Sequence, residues 1–418
     1  INQMNLLTIN SFDCSEQSSG GVNQTTVKLT KYLTTQCGVH CYLGFFEHLP
    51  DKFAPLPLFE GRILLNRNFD KQAFAQFLQT NRIDIVQVNF LKKRNLTVMP
   101  ALYEVAQQCG AKVIYAFHMC PGFQIHTYGS FERMLYGWLK RDKAFSETKK
   151  WLLTATQKLW MPIGRILLQS KYRIPYESAD KVVVLSENYF SPYLYYAGLQ
   201  RSKKMVAIGN SLRFSQYIHP NEIISKEKTV IVVARFDEDT KRLSYALRSW
   251  REIEKDTKYN AWKLQLVGDG RDMPFYQYLV KKWGLKRVEF TGQQNPQEYY
   301  HHASIFLMTS TAEGWPMVIL EALQMGVPVI AMDSFGALHD MITDGYNGSI
   351  VPNNDLKSFL HSMTVLMEDD LLRQQMAVNA VESSKRFEIQ NILTLWKRLF
   401  KQLTNDYADE SLNHHYYI

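Results

Sequence analysis

Two cations, Arg235 and Lys241, stand just after the apolar run Lys228–Ala234. A guanidinium fork and an ammonium point charge at the carboxyl end of a strand are what a departing diphosphate requires. Two acids, Glu313 and Glu321, stand eight residues apart around a Gly, a Pro and an apolar run. The run 303–310 before them reads as a buried strand, and 321–330 reads as helix, Gly stop and next strand. Glu313 therefore falls in a strand-to-helix loop and Glu321 about two turns down the helix. Glu313 is placed to accept from sugar hydroxyls, and Glu321 from both hydroxyls of a ribose. The N–H groups of Trp315, Met317 and Val318, with Gly314 before them, face a sugar or a β-phosphate at the positive end of the helix. Pro316 has no N–H and suits a first helical turn.

Further residues converge on the same chemistry. His118 closes the apolar strand Lys112–Phe117 at its carboxyl end, where it could bind a sugar hydroxyl or stabilise a charged transition state. Gly20 and Gly21 lie between the first strand and the first helix, where a backbone can approach a ligand closely. The loop Gly268-Asp-Gly270 follows another strand, and Thr291-Gly292-Gln293 could lend backbone groups to a nucleobase. One alternative lives beside Arg235. Asp237, Glu238 and Asp239 read either as ligands for a divalent ion or as a solvated acidic turn.

These residues need elements to hold them. Strands are expected at Asn5–Asn10, Val39–Phe46, Ile83–Asn89, Lys112–Phe117 and Lys181–Leu185, with helices at Val22–Gln36, Ala73–Thr80 and Pro100–Gln108. Lys228–Ala234, Lys263–Val267, Val288–Thr291, Ile305–Met308, Val327–Met332 and Asn347–Val351 repeat the scheme, with Arg242–Glu254, Phe275–Trp283, Trp315–Met325, Asn354–Met367 and Asp370–Arg386 as helices. Alternation of this kind implies parallel sheets covered by helices on both faces, with ligands at the carboxyl ends of the strands. The expected fold class is α/β, two doubly wound Rossmann-like domains facing a central cleft. Their expected bounds are 1–212, the acceptor side, and 228–386, the nucleotide-sugar side, joined by a polar linker at 213–227, with a final basic helix and tail at 387–418.

At 418 residues, 46% hydrophobic and 21% charged, the chain has the composition of a soluble globular protein of two or three domains. No run of about 18 apolar residues exists to cross a membrane. Five cysteines with no metal or redox spacing read as reduced buried thiols of a cytoplasmic protein. The net charge of +8 is concentrated: residues 131–175 hold ten Lys/Arg against three acids, a difference of +7. Trp138, Trp151 and Trp160 are interleaved there. The segment reads as a basic amphipathic insertion on the first domain, and either as a solvated excursion or as a patch for an anionic membrane surface. Nucleic acid is not expected, because no nucleic-acid motif accompanies the charge.

Together these residues resemble the retaining glycosyltransferases of family 4, the group 1 set, and among them bacterial members that build capsule, O-antigen or exopolysaccharide. The resemblance is specific over about 205–386, through Met205–Asn210, Val-Ala-Arg235…Lys241, Leu-Val-Gly-Asp-Gly270, the paired glutamates and Asp344-Gly-Tyr-Asn-Gly348. It is looser over 1–204, through Gly20-Gly21, His118 and Ala179–Ser186. It implies a GT-B fold whose last helix crosses back onto the first domain. It also implies a nucleotide-diphosphate sugar, UDP before GDP, as co-substrate with no obligate cofactor or metal, and retention at the anomeric carbon. By resemblance, Arg235 and Lys241 bind diphosphate, Glu313 and Glu321 bind donor sugar and ribose, and His118 contacts the donor sugar. Ala234 stands where Gly is commoner, and Lys241 falls one residue late, so that Arg242 could share its contact. The expected activity is hexosyl transfer to a saccharide or lipid-linked saccharide, in the cytoplasm, peripheral on the inner face of the cell membrane. An epimerase or phosphorylase on the same fold, or a non-catalytic binding module, is the alternative.

Overall fold

The computed structural model describes residues 4–14, 21–48, 56–66, 68–89, 91–125, 128–140 and 144–404. The chain divides into two units. One comprises Ile1–Gly122, Ile163–Asn210 and Ile389–Ile418; the other comprises Phe123–Pro162 and Ser211–Glu388.

The first unit is built on a seven-stranded parallel sheet in the order β3-β2-β1-β4-β5-β6-β7. Its strands are β1 Asn5–Phe12, β2 His40–Glu47, β3 Gly61–Leu64, β4 Ile85–Asn89, β5 Lys112–Phe117, β6 Lys181–Val184 and β7 Met205–Ala207. Their near-continuous apolar runs follow from burial on both faces. The strands β3 and β7 lie at the two edges: β3, Gly61-Arg-Ile-Leu64, has no continuous apolar run, and β7 has three residues. One face is covered by the helix Gly21–Cys37 and by the final helix Ile389–Thr404. Leu393, Trp396, Leu399 and Phe400 of that final helix enter the same core as Leu29, Leu33 and Leu43. The expected return of the last helix to the first domain is therefore observed.

The second unit holds a six-stranded parallel sheet, β10-β9-β8-β11-β12-β13. Its strands are β8 Thr229–Val233, β9 Lys263–Val267, β10 Val288–Gly292, β11 Ile305–Met308, β12 Val329–Asp333 and β13 Gly348–Pro352. Helices Leu243–Ile253, Met273–Trp283 and Leu356–Glu368 bury Leu247, Trp250, Phe275 and Phe359 against it.

The division differs from the expected one at the basic segment. Helices Phe131–Lys140 and Ala144–Ala155 group with the second unit, and the helix Gln157–Glu177 begins there. The reason is electrostatic and aromatic. Arg133 pairs with the buried Asp272 at 2.8 Å, Lys150 pairs with Asp239 at 2.8 Å, and Glu132 pairs with Arg248. Tyr136 packs on Phe275 and Tyr278, with centroids 5.4 and 5.1 Å away. Part of the +7 of this segment is thus spent on acids that the sequence places far away.

Candidate functional site

The candidate donor residues sit on loops at the carboxyl ends of four adjacent strands, β10, β9, β8 and β11. The loop after β8 carries Arg235. It is braced by the loop after β9: Ala234 N–H donates to Val267 O (3.1 Å) and Phe236 N–H to Asp269 O (2.8 Å). Gly268 has φ +137°, and a Cβ there would meet Ala234 O at 1.9 Å, so only glycine permits this approach. The close contact is made from the Gly268 side, which leaves room for Ala234 in place of glycine.

After Arg235 the chain makes one helical turn, Glu238–Lys241, and Arg242 (φ 54°, ψ 43°) turns it into the helix Leu243–Ile253. The late position of Lys241 is absorbed by this turn. The loop after β11 is stitched to it: Thr311 N–H donates to Thr240 O (2.8 Å) and Thr309 Oγ1 to Lys241 O (2.8 Å). Lys241 Nζ and Glu313 Oε1 consequently form an ion pair. Cation and acid, 72 residues apart in the chain, meet.

The other predicted residues have different partners. Arg235 is largely exposed and donates to Asp237 at 3.1 Å. Glu321 is buried on the helix Met317–Gln324, takes Arg213 at 3.0 Å, and lies beside the buried Tyr300 hydroxyl. Burial raises its pKa, and the Arg213 charge opposes this. A surface acid is therefore excluded at position 321. Pro316 is the residue before the helix, Met317 and Val318 open it, and the Trp315 ring packs edge-on against Phe387 at 5.7 Å. Gly314 and Glu313 are half-buried in the preceding loop. Gly292, at φ +74°, ends β10, accepts from Gly268 N–H at 2.9 Å, and leaves Gln293 exposed.

In the first unit, His118 follows β5, and its Nε2 lies 3.2 Å from Asn89 Oδ1 at the end of β4. Burial lowers its pKa to about 4, so the ring is neutral at pH 7. That favours the hydroxyl contact over the charged role. Gly21 opens the helix Gly21–Cys37, whereas Ser18–Gly20 and the side chain of Trp160 lie outside the described residues.

Two alternatives are corrected. Arg242 does not share the Lys241 contact. It is buried and donates to Thr309 O (2.8 Å), Asn353 Oδ1 (2.9 Å) and Asn354 Oδ1. The acidic turn is not a solvated one: its acids are taken up by cations and by a hydroxyl. Asp237 pairs with Arg235 and Arg271, Asp239 with Lys150 and Arg271, and buried Glu238 accepts from Ser244. Arg213, Arg271 and Asn89 escaped the sequence reading. Arg213 lay in a stretch taken for linker, and the other two lack any local spacing signal.

Residues 214–383 match the family model described as glycosyl transferases group 1. An α-1,4-N-acetyl-D-galactosaminyltransferase of Campylobacter jejuni, whose name specifies an undecaprenol diphosphate-linked acceptor, is 27% identical over 56% of this chain and 63% of its own length. The amylovoran biosynthesis glycosyltransferase AmsD of Erwinia amylovora is 27% identical over 53% of this chain and 62% of its own. The chain thus spans under two thirds of the length of these relatives. HepE of Anabaena in complex with UDP superposes with a TM-score of 0.67 at 15% identity, covering 96% of this chain and 100% of that one. The lipopolysaccharide outer core galactosyltransferase WaaB gives 0.67 at 16% identity, with coverage of 96% and 100%. The two parallel-sheet units are the GT-B fold.

Proposed function

We propose that the protein is a retaining glycosyltransferase. It moves a hexose or N-acetylhexosamine from a UDP-sugar to a saccharide or lipid-linked saccharide in cell-surface glycan synthesis. The observation that carries this reading is the Lys241–Glu313 pair on the rim of a group 1 domain. A diphosphate arriving there would take over Lys241 and release Glu313 to the sugar hydroxyls. Arg235, exposed and tied only to its neighbour Asp237 by the bonds described, is free to swing onto the same phosphates. The buried carboxylate of Glu321, held by Arg213, would accept from the ribose hydroxyls. In the step itself, the bond from the anomeric carbon to the β-phosphate oxygen breaks, and the bond to the acceptor oxygen forms on the same face. The acceptor proton passes to the departing phosphate. Charge prearranged around that phosphate supplies the catalysis, and no divalent ion or other cofactor is required. The UDP complex of HepE and the acceptor named for the Campylobacter enzyme support the donor and acceptor classes.

A peripheral membrane location belongs to the same reading. Phe145 is 84% and Leu159 79% exposed, on helices that carry Lys149 and Lys158. Apolar side chains beside lysines are suited to an anionic bilayer surface. No helix among the described residues is long and apolar enough to cross one.

A panel of UDP- and GDP-sugars is to be screened by thermal shift, and the best is then supplied with lipid-linked saccharide acceptors in EDTA. The expected product carries an α-linked sugar from an α-linked donor. An inverted product, or turnover strictly dependent on manganese, overturns the mechanism. Sugar isomerised without acceptor would establish the epimerase alternative instead.

A further inference from the structure

A cavity of about 600 Å³ lies within the second unit, between the inserted helices and the carboxyl ends of β11, β12 and β13. Its size is that of a ligand site. Its wall combines two kinds of group. Trp151 and Tyr245 provide aromatic faces, while Arg242, Arg248 and Lys158 provide cations, against Asp333 as acid. Asp333 is already engaged with His339 at 3.0 Å.

The cations are under-compensated. Arg242 is buried, and its partners are a carbonyl, two amides and the Met332 sulfur, with the Tyr245 ring 4.6 Å from its carbon. Among the described residues no carboxylate pairs with it. Burial lowers its pKa, as expected of a cation held in this way. It is also in left-handed backbone, which costs a non-glycine residue roughly 1 kcal/mol. Arg248 pairs with Glu132 through one nitrogen, and its buried Nε has no hydrogen-bond partner among the described residues. A buried cation without a counter-charge is costly, and an anionic ligand that approaches it recovers part of that cost.

Aromatic faces suit the apolar side of a sugar ring, and a guanidinium that no carboxylate neutralises suits an anion. We propose that this cavity binds an anionic saccharide, the acceptor of the transferase reading on which the proposal rests. The negative group is a uronate carboxylate or a sugar phosphate. The inserted segment 123–162 is then the element that completes the acceptor site, since Trp151 and Lys158 belong to it.

The full chain is to be titrated calorimetrically with trigalacturonate, with N-acetylglucosamine 1-phosphate, with neutral maltotriose and, separately, with UDP. One of the two anionic sugars is expected to bind roughly tenfold more tightly than maltotriose, and which one identifies the anion. Lys158→Glu and Arg248→Gln should each weaken it roughly tenfold while leaving UDP affinity unchanged. Lys158 is exposed, so its variant decides the matter if Arg248→Gln unfolds. Equal binding of neutral and anionic sugars, no sugar binding, or insensitivity to Lys158→Glu overturns the proposal. Loss of UDP binding in both variants would also overturn it, by assigning the cavity to the donor. Sugar binding by a protein that does not bind UDP would leave this site standing and sink the donor reading.

Discussion

Arg235 and Glu238 stand three residues apart and illustrate opposite uses of charge. Arg235 is exposed, and its described bond is to Asp237 two residues away. Arg235→Ala should leave the melting temperature nearly unchanged. Transfer should fall by about 10²–10³-fold, the usual cost of a lost charge stabiliser. A parallel loss of folding and activity would mean that the residue is structural. Glu238 is buried, and its carboxyl is raised to about 7 by that burial, against Ser244 bonds that lower it. Between about 4.5 and 7 the native chain keeps a proton that the unfolded chain has released. Stability from this group is therefore lost as pH rises through that window, by about 3 kcal/mol at most at 1.4 kcal/mol per unit. His118, lowered to about 4, works the other way: its contribution is lost as pH falls from 6.5 toward 4. Urea unfolding of Glu238→Gln beside the wild type at pH 5 and pH 8 cancels the histidine. The difference between the two should shift toward the variant at pH 8, and parallel behaviour would refute the assignment.

At the scale of elements, two packing contacts decide where segments belong. The final helix buries Trp396, Leu399 and Phe400 in the core of the first sheet. Trp396→Ala should cost about 3–5 kcal/mol. Removing the helix should expose that core to aggregation, measured as loss of soluble protein. The inserted helices depend on Gly129, whose N–H donates to Thr154 Oγ1 at 2.7 Å. A Cβ there would meet Trp151 N at 2.3 Å and the Lys150 carbonyl carbon at 2.4 Å, both backbone atoms that cannot rotate away. Gly129→Ala should cost about 1–3 kcal/mol, as overpacking does. Limited proteolysis should then cut within 123–162 before any other segment; unchanged cleavage would show that the contact relaxes freely.

At the scale of the molecule, the exposed apolar and basic side chains of the inserted helices bear on location. The protein should bind vesicles containing about 30% phosphatidylserine and be released by salt, since the lysine contribution decays within a Debye length. Phe145→Asp with Leu159→Asp should abolish sedimentation with the vesicles. Binding that survives both changes would place the contact elsewhere.

What the amino-acid order alone determined was local. Runs such as Ile305–Met308 and Val329–Asp333 had to be buried parallel strands, because nothing else accommodates so continuous an apolar run between helices. Loops carrying Arg235, Glu313 and Gly292 then had to fall at their carboxyl ends. The edge strand β3 was hidden by its mixed Gly-Arg-Ile-Leu composition and β7 by its brevity. Every pairing across the sheet awaited the tertiary structure: Lys241 with Glu313, Glu321 with Arg213, His118 with Asn89, and Arg133 with Asp272. The partners are 29 to 139 residues apart, judging by His118–Asn89 and Arg133–Asp272. No spacing rule spans such distances. Which acid neutralises which cation is settled only when the sheet brings their loops side by side and burial makes leaving either one alone costly.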